Sequence, residues 1–341
     1  MSKSNKKRLL KAGKLPAELL AKSLASIKES SPRVLLGPGV GEDAAFISFG
    51  SKTLIAKSDP VTFATDRIGW YAIQVNANDI AASGGIPRWF LATALLPEGA
   101  PKSLATEIFD QINDAANKLN IELIGGHTEI TVDLPRPIIV GMMLGEAAPS
   151  ETVASRGASG GDKLILTQGI SIEGTSILAR EAASELKNVG VSKSVIESAA
   201  NFLDDPGISV LKAAQIAVRT GVVTAMHDPT EGGLSGAIDE LCKASNTGAV
   251  VNPDAVHIFE ETHHICNALG LDPWGLIASG ALLIASSDPE PVLDALKREE
   301  IPAAVIGELT AQSGIIGLDT GTTPSEFPKF ERDEIARYFG E

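Results

Sequence analysis

The stretch from Gly69 to Ser83 constrains the fold of this chain more than any other. Ile68, Ala72, Val75 and Ile80 fall at helical spacing, and the rest of the segment is nearly as apolar. It therefore reads as a helix buried on all sides, not as an amphipathic surface helix. Asn76, Asn78 and Asp79 interrupt it. A buried carboxylate without a partner is costly, so Asp79 either pairs inside the protein or faces a site. Ala81-Ala82-Ser83-Gly84-Gly85 then offers a smooth surface that another backbone can approach closely. The rest of the chain must wrap this helix and bring polar partners to it.

Upstream, Gly37-Pro38-Gly39-Val40-Gly41-Glu42-Asp43-Ala44-Ala45 crowds three glycines and two acids together. Glycine gives up side-chain burial and costs entropy on ordering, so packing does not explain the run. Gly39 and Gly41 suit amides that surround phosphate oxygens, with Asp43 holding a divalent ion. A mobile surface loop with two solvated acids fits the same letters. No Gly-Lys-Ser/Thr follows, and no strand–Gly-x-Gly-x-x-Gly–helix order is present, so neither a Walker loop nor a dinucleotide fingerprint is read here.

Ala45 to Phe49 and Thr53 to Ser58 read as a hairpin around Gly50-Ser51, ending in Lys57-Ser58-Asp59-Pro60. Asp59 is a metal ligand at a strand end or a turn cap. Strand 89–96, helix 103–119 and a short strand 121–124 follow. The last runs into a turn, Gly125-Gly126-His127-Thr128, in which Gly126 and Thr128 are further phosphate or metal candidates. Strand 138–146 completes a β-β-α-β-α-β-β unit of α+β type. Its strands carry few charges, which implies a sheet covered by another subunit. Arg156 lies in the junction 156–162. Beyond it, strands 163–167, 222–226, 249–253, 280–285 and 304–309 alternate with helices 173–185, 195–202, 210–220, 234–244, 259–269 and 289–298. This second, α/β half repeats the first in outline. Its strand 222–226 stops at His227-Asp228-Pro229-Thr230-Glu231-Gly232-Gly233, and a helix starts at once. Such a turn is a setting for an anion or a metal-bound anion, with Asp228, Thr230 and Glu231 as its polar members. From Gly314 onward the chain reads as a polar terminus, and residues 1–14, with six basic side chains, as a solvated tail.

The chain has 341 residues, enough for two domains, and a formal charge of −14,. That charge argues against a nucleic-acid or anionic-membrane surface. It admits a nucleotide carried by metal and backbone amides. Hard oxygen ligands such as Asp43, Asp59, Asp79, Asp228 and Glu231 suit Mg²⁺ better than zinc. The histidines show no zinc spacing, and Cys242 and Cys266 read as small apolar residues on helices. No signal peptide or apolar span appears, so a cytoplasmic protein is expected.

Four stretches taken together resemble the aminoimidazole ribonucleotide synthetase (PurM-like) superfamily: Gly39-Val40-Gly41-Glu42-Asp43-Ala44-Ala45, Ser58-Asp59-Pro60, Asn78 to Pro87, and Met226 to Leu234. Within it, Leu269 to Trp274 and Ala278-Ser279-Gly280 are similar to the branch of the hydrogenase maturation protein HypE. The likeness spans about residues 35–310. It implies a two-domain α+β / α/β protein: a tail and helix over 1–34, a PurM-like ATP-binding domain over 35–150 whose sheet forms a barrel with a second subunit, a PurM-like C-terminal α/β domain over 155–313, and a tail over 314–341. It implies ATP in the cleft between domains under the glycine loop, with Ser58 and Asn78 in the matching motifs. Mg²⁺ would be held by Asp43, Asp59, Asp79 and Asp228, with Lys57 beside the phosphates and Arg156 near the nucleotide.

The implied chemistry is ATP-driven activation of a carbonyl or amide oxygen, or phosphoryl transfer, with Asp43, Asp59 and Asp228 as its centre. The chain departs from the pattern in three ways. It ends in Phe339-Gly340-Glu341, without the terminal cysteine of the maturation branch, so a partner protein is one source of an acceptor group. It has no Asp in the 126–128 turn. It carries His227 and Glu231 where that branch usually has Arg; Glu231 is closer to thiamine-monophosphate kinase, whose histidine-bearing loop is replaced by Val61-Thr62-Phe63. The expectation is thus an ATP- and Mg²⁺-dependent homodimeric enzyme with an unassigned acceptor. The alternatives are a small-molecule kinase and a non-catalytic ATP-binding assembly protein.

Overall fold

The computed structural model describes residues 14–27, 31–62, 66–321 and 325–340; the basic segment 1–13 and Phe63 lie outside them. The first domain comprises α1 (Ala17–Leu24), β1 (Val34–Leu36), β2 (Ala45–Phe49), β3 (Lys52–Val61), α2 (Ile68–Ala82), β4 (Ile86–Pro97), α3 (Lys102–Lys118), β5 (Glu122–Thr131) and β6 (Ile138–Ala147). Its sheet runs β1-β2-β3-β6-β4-β5. Alternation along the strands sends Ile55, Phe90, Ile139 and Met143 onto α2 and α3, where they meet Ile73, Ile80, Ile108 and Ile112,. The opposite face carries Val140, Met142, Leu144, Leu91 and Leu95, which are half-buried or exposed.

Two details differ from the sequence reading. β3 continues through Asp59 and Pro60 to Val61, so Asp59 sits inside a strand rather than at its end. Its N–H donates to the side-chain oxygen of Asn76 at 3.0 Å. The residues taken as a turn at Gly125-Gly126-His127-Thr128 belong to β5, which pairs with β4 throughout. A Cβ at Gly126 would stand 1.9 Å from the carbonyl oxygen of Ala92, so glycine serves close strand approach there. Nine of the ten β5 residues are exposed, including Leu123, Ile124 and Ile130.

The second domain comprises β7 (Lys163–Thr167), α4 (Ile172–Glu181), α5 (Ala183–Asn188), α6 (Lys193–Ala200), α7 (Leu211–Arg219), β8 (Val223–His227), α8 (Gly233–Ser245), β9 (Gly248–Val251), α9 (Glu260–Leu269), β10 (Leu283–Ser286), α10 (Pro289–Arg298), β11 (Ala303–Thr310), β12 (Ile316–Leu318), β13 (Ser325–Glu326) and α11 (Glu334–Phe339). Its sheet runs β13-β12-β9-β11-β7-β10-β8. Leu234, Ile238 and Leu241 of α8 pack on one face. Ala214 and Ala217 of α7 and Val292 and Leu296 of α10 pack on the other. A further layer joins α4, α5, α6 and α9.

The stretch after Gly314 is not a loose tail. β12 extends the sheet beside β9, and Ile335 of α11 enters the core of the α4–α9 layer. The Asp333 carboxylate accepts the N–H of Gly232 at 2.7 Å. The α8 N-terminus, where the sequence suggested an external anion, is thus met by the chain's own acid.

Helix α2 joins the domains. Ile73 and Ile80 face the first sheet, while Ala81 and Ala82 pack with Val210, Ala213 and Met226 of the second domain. Asn78 is fully buried. Its amide nitrogen donates to the Ile208 carbonyl at 2.7 Å and its oxygen accepts from the Val210 N–H at 3.0 Å. Both ends of that side chain are committed to the domain junction, which corrects its assignment to the nucleotide.

Candidate functional site

Four segments converge on the seam between the domains: β3, α2, the 37–45 loop and the β8–α8 turn. Strand alternation places Lys57 and Asp59 on the same side of β3, facing α2. Lys57 Nζ lies 3.0 Å from Asp79 Oδ1, so the carboxylate that interrupts the apolar helix is paired and faces the site as well. Asn76 holds the neighbouring backbone: besides accepting from Asp59, its amide donates to the carbonyl oxygens of Ala72 and Asp59.

From the other side come His227 and Asp228 at the end of β8. His227 Nδ1 stands 2.6 Å from Asp43 Oδ1, and Nε2 stands 3.0 Å from Glu240 Oε2. Lys14 Nζ completes the chain at 3.0 Å from Glu240 Oε1. Asp228 is 2 % exposed, and among the described residues neither of its carboxylate oxygens has a hydrogen-bond partner. One donor atom each from Asp43, His227 and Asp228 lie within 4.8 Å of one another.

The charges explain one another. Burial acts to lower the Lys57 pKa, but Asp79, Asp59, Asp43 and Asp228 together hold it above its ordinary value. Burial also acts against a charged His227, yet Asp43 and Glu240 outweigh it and raise the imidazole well above its usual range. Glu240 is pushed up by burial but pulled down to about 2, first by the His227 hydrogen bond and then by Lys14. Burial lifts Asp79 to about 7 against the pull of Lys57, and lifts Asp228 well above the carboxylate range, with Asp79 and Asp43 adding to it.

Four carboxylates therefore face two cations, Lys57 and the imidazolium of His227. Both ring nitrogens of His227 face carboxylates, so the imidazole is placed to orient Asp43. What remains is a set of hard oxygen donors with two unpartnered oxygens on Asp228. That donor set fits Mg²⁺.

The other predicted residues divide. Gly41 has φ +82°, and a Cβ on it would lie 2.5 Å from the Glu240 carbonyl oxygen. Packing against α8 thus does require a glycine in this loop, contrary to the sequence argument. At Gly39 a Cβ would meet only the flexible Glu42 side chain. Arg156 braces the base of the loop: it donates to the Leu35 carbonyl at 3.2 Å and lies 3.7 Å from Glu42. Ser58 points to the opposite face of β3, where its hydroxyl donates to the Gly141 carbonyl, so it is not in the cluster. Gly126 and Thr128 sit on β5, three strand positions from β3, and are not brought to the carboxylates within one chain.

Asp59, Thr230 and Glu231 line a cavity of about 540 Å³, together with Tyr71, Glu173 and Ser279. Sequence reasoning missed His227, Glu240 and Lys14 as a relay behind Asp43. The one available signal was His227 directly before Asp228. It also missed Tyr71 and Glu173, which sit among apolar helix residues and match no motif.

A family model for the N-terminal domain of AIR synthase related proteins matches residues 41–147, and one for the C-terminal domain matches residues 159–319. A putative hydrogenase expression/formation protein of Methanocaldococcus jannaschii is 26 % identical over 289 residues, covering 82 % of each chain. Carbamoyl dehydratase HypE of Rhizobium leguminosarum is 25 % identical, over 80 % of this chain and 77 % of its own. Three solved structures share the fold. The HypE–HypF complex superposes with TM-score 0.74 at 20 % identity, over 92 % of this chain and 100 % of that one. HypE in complex with ATP gives 0.70 at 20 % identity, over 92 % and 91 %. AaThiL complexed with AMPPCP and TMP gives 0.69 at 20 % identity, over 93 % and 94 %.

The carboxyls of Asp79 and Glu173 are raised to about 7 and that of Asp333 to about 6, each chiefly by burial. Folded protein then holds more protons than unfolded chain between the ordinary carboxylate range and about pH 7, so stability falls as pH rises through that window. The metal-free protein should melt at a higher temperature at the acid end of this window than at neutral pH. Thermal melts across it check this; a melting temperature that rises steadily with pH would contradict it.

Proposed function

This chain belongs to the AIR synthase related protein family, and from that premise we propose that it is an ATP- and Mg²⁺-dependent enzyme that activates a carbonyl or amide oxygen of an acceptor, or phosphorylates it. One observation carries this reading: Asp43, Asp59, Asp79 and Asp228, drawn from both domains, converge around Lys57. The ATP-bound HypE structure and the AMPPCP complex of ThiL, which have the same fold, support the choice of nucleotide.

In this reading residues 35–150 form the nucleotide-binding domain and 155–313 the domain packed against it. Asp43, Asp79 and Asp228 would hold the metal, with Asp59 and Glu231 at the side facing the cavity. Bound Mg²⁺ supplies charge neutralisation at the phosphate oxygens. His227 would keep Asp43 aimed. Lys57, paired with Asp79 at the centre of the cluster, would meet phosphate charge. The amides of the 37–41 loop, braced by Arg156 and by Gly41 on α8, would cover the polyphosphate. Thr230 and Glu231 line the cavity beside Asp59.

The acceptor is read as a separate molecule. Both cysteines are buried, with thiols pushed up by burial to about 11 and 12, and neither lines the cavity. A cavity of about 540 Å³ suits a small acceptor, which favours the kinase variant of the reading,. The HypE–HypF complex supports a second variant, in which a partner protein delivers the acceptor group.

Asp228→Asn should weaken Mg–ATP binding by about tenfold or more, a loss of the size expected when a metal's ligand shell is disturbed. Calorimetry on wild type and variant measures it. Asp59→Asn should abolish ATP turnover in the presence of a pool of low-molecular-weight metabolites. Tight ATP binding without turnover in any pool would favour a non-catalytic assembly protein, and ATP binding indifferent to Mg²⁺ would remove the metal assignments.

The uncovered apolar face of the first sheet and the open edge β5 support a homodimer in which a second copy covers both. Gly126 and Thr128 would then approach a site only across that interface. Sedimentation should give twice the chain mass for wild type and a single chain mass for Ile130→Lys. A monomeric wild type would refute the dimer.

A further inference from the structure

The cavity beside Asp59 has an inner wall that the ATP reading leaves unused. Glu173, in the first turn of α4, is 5 % exposed; Ser279 and Tyr71 are each 1 % exposed. Among the described residues, Glu173 Oε2, Ser279 Oγ and the Tyr71 hydroxyl make no close hydrogen bond, though the Ser279 hydroxyl lies near enough to Glu173 to act on its carboxyl, and all three residues line the cavity. Three polar groups so deeply buried and so poorly partnered are costly to keep unless something in the cavity answers them. They come from α2, α4 and the segment before β10, so no single local turn explains them.

The charge around them has one sign. Asp59, Glu173, Glu231 and Asp333 line the cavity, against Lys14 and Arg136. Lys14 is spent on Glu240, and Arg136 has an interaction of its own. The rest of the wall is mostly apolar, with Val75, Ile177, Ile277 and Ile335 beside Thr62 and Thr230.

We infer that this cavity is the acceptor subsite, and that Glu173, Ser279 and Tyr71 recognise a cationic nitrogen group, of amidinium or ammonium type, on a small apolar body. The inference rests on the proposed function only for the word acceptor, because the binding it asserts is measured without ATP. Glu173 offers a carboxylate oxygen to the N–H groups, while Ser279 and Tyr71 offer hydroxyl oxygens at the same wall. Burial lifts the Glu173 carboxyl to about 7 against the pull of the Ser279 hydroxyl, with Asp333 and Glu231 adding to the lift. A bound cation would return it to the charged form. A carboxylate or phosphate at that end would face Glu173, with Asp333 and Glu231 close by,. Ile335 and Ala336 of α11 form part of the wall, which gives the docked C-terminal helix a place in shaping the subsite.

The test uses three probes of one shape: benzamidine hydrochloride, benzamide and sodium benzoate, titrated calorimetrically into the full-length protein. Benzamidinium should bind about tenfold or more tighter than benzamide, the size of a charge-assisted hydrogen bond, and benzoate should not bind. Glu173→Gln should weaken benzamidinium by about tenfold and remove its advantage over benzamide. Ser279→Ala should weaken both and serves if Glu173→Gln does not fold. Mg–AMPPCP affinity should be the same in these variants as in wild type. Benzoate binding as well as benzamidinium, or benzamidinium indifferent to both substitutions, overturns the subsite. Loss of Mg–AMPPCP binding in wild type with the probe ranking intact would sink the ATP reading and leave the subsite standing.

Discussion

Lys57 sits where the carboxylates of two domains meet, and the rest of the structure serves that meeting. Asp79 touches its ammonium group, and the charges of Asp59, Asp43 and Asp228 reach it. Such a gathering of acids in a buried place is unfavourable by itself. Lys57 offsets part of it from below, and His227, clamped between Asp43 and Glu240, offsets more from above. What is left over is negative, rich in oxygen and partly unpartnered. In the proposed reading a divalent cation bound to a polyphosphate is the complement of that arrangement, and it would let a protein of net charge −14 take a highly anionic ligand,.

The geometry depends on α2 having two working sides. One side fills the core of the first sheet; the other meets the second domain through Ala81, Ala82 and the clamped amide of Asn78. Asn76 and Asp79, one helical turn apart, present the remaining polar groups to β3. Because the same helix packs both domains, the distance between Asp79 and Asp228 is set by core packing rather than by a hinge. Asp333, reaching from the C-terminal segment to Gly232, anchors the turn that carries Asp228.

Much of this was legible in the sequence. The buried helix, the polar residues that break it and the acid-bearing turns are local patterns, and Asp43, Asp59, Asp79 and Asp228 stood out because acids next to glycine or inside apolar runs need a reason. Elements beyond these were harder. Gly125 and Gly126 look like a turn because glycine marks both turns and close strand contact, and only the neighbouring β4 decides between them. Ser58 follows the wrong parity of β3, which its motif does not reveal. The segment after Gly314 is too polar to announce itself, yet it docks through single residues such as Ile335 and Asp333. Glu240 and Lys14 are 226 positions apart, and no pattern along the chain connects them. Tyr71 and Glu173 gain meaning only from the cavity they share.

The most direct measurement is anomalous diffraction from crystals grown with Mn²⁺ and AMPPCP. The account predicts manganese peaks in contact with Asp228 and Asp43, with Lys57 turned toward the phosphates and the 37–41 loop over them. Manganese bound elsewhere, or nucleotide seated away from these four carboxylates, would contradict it.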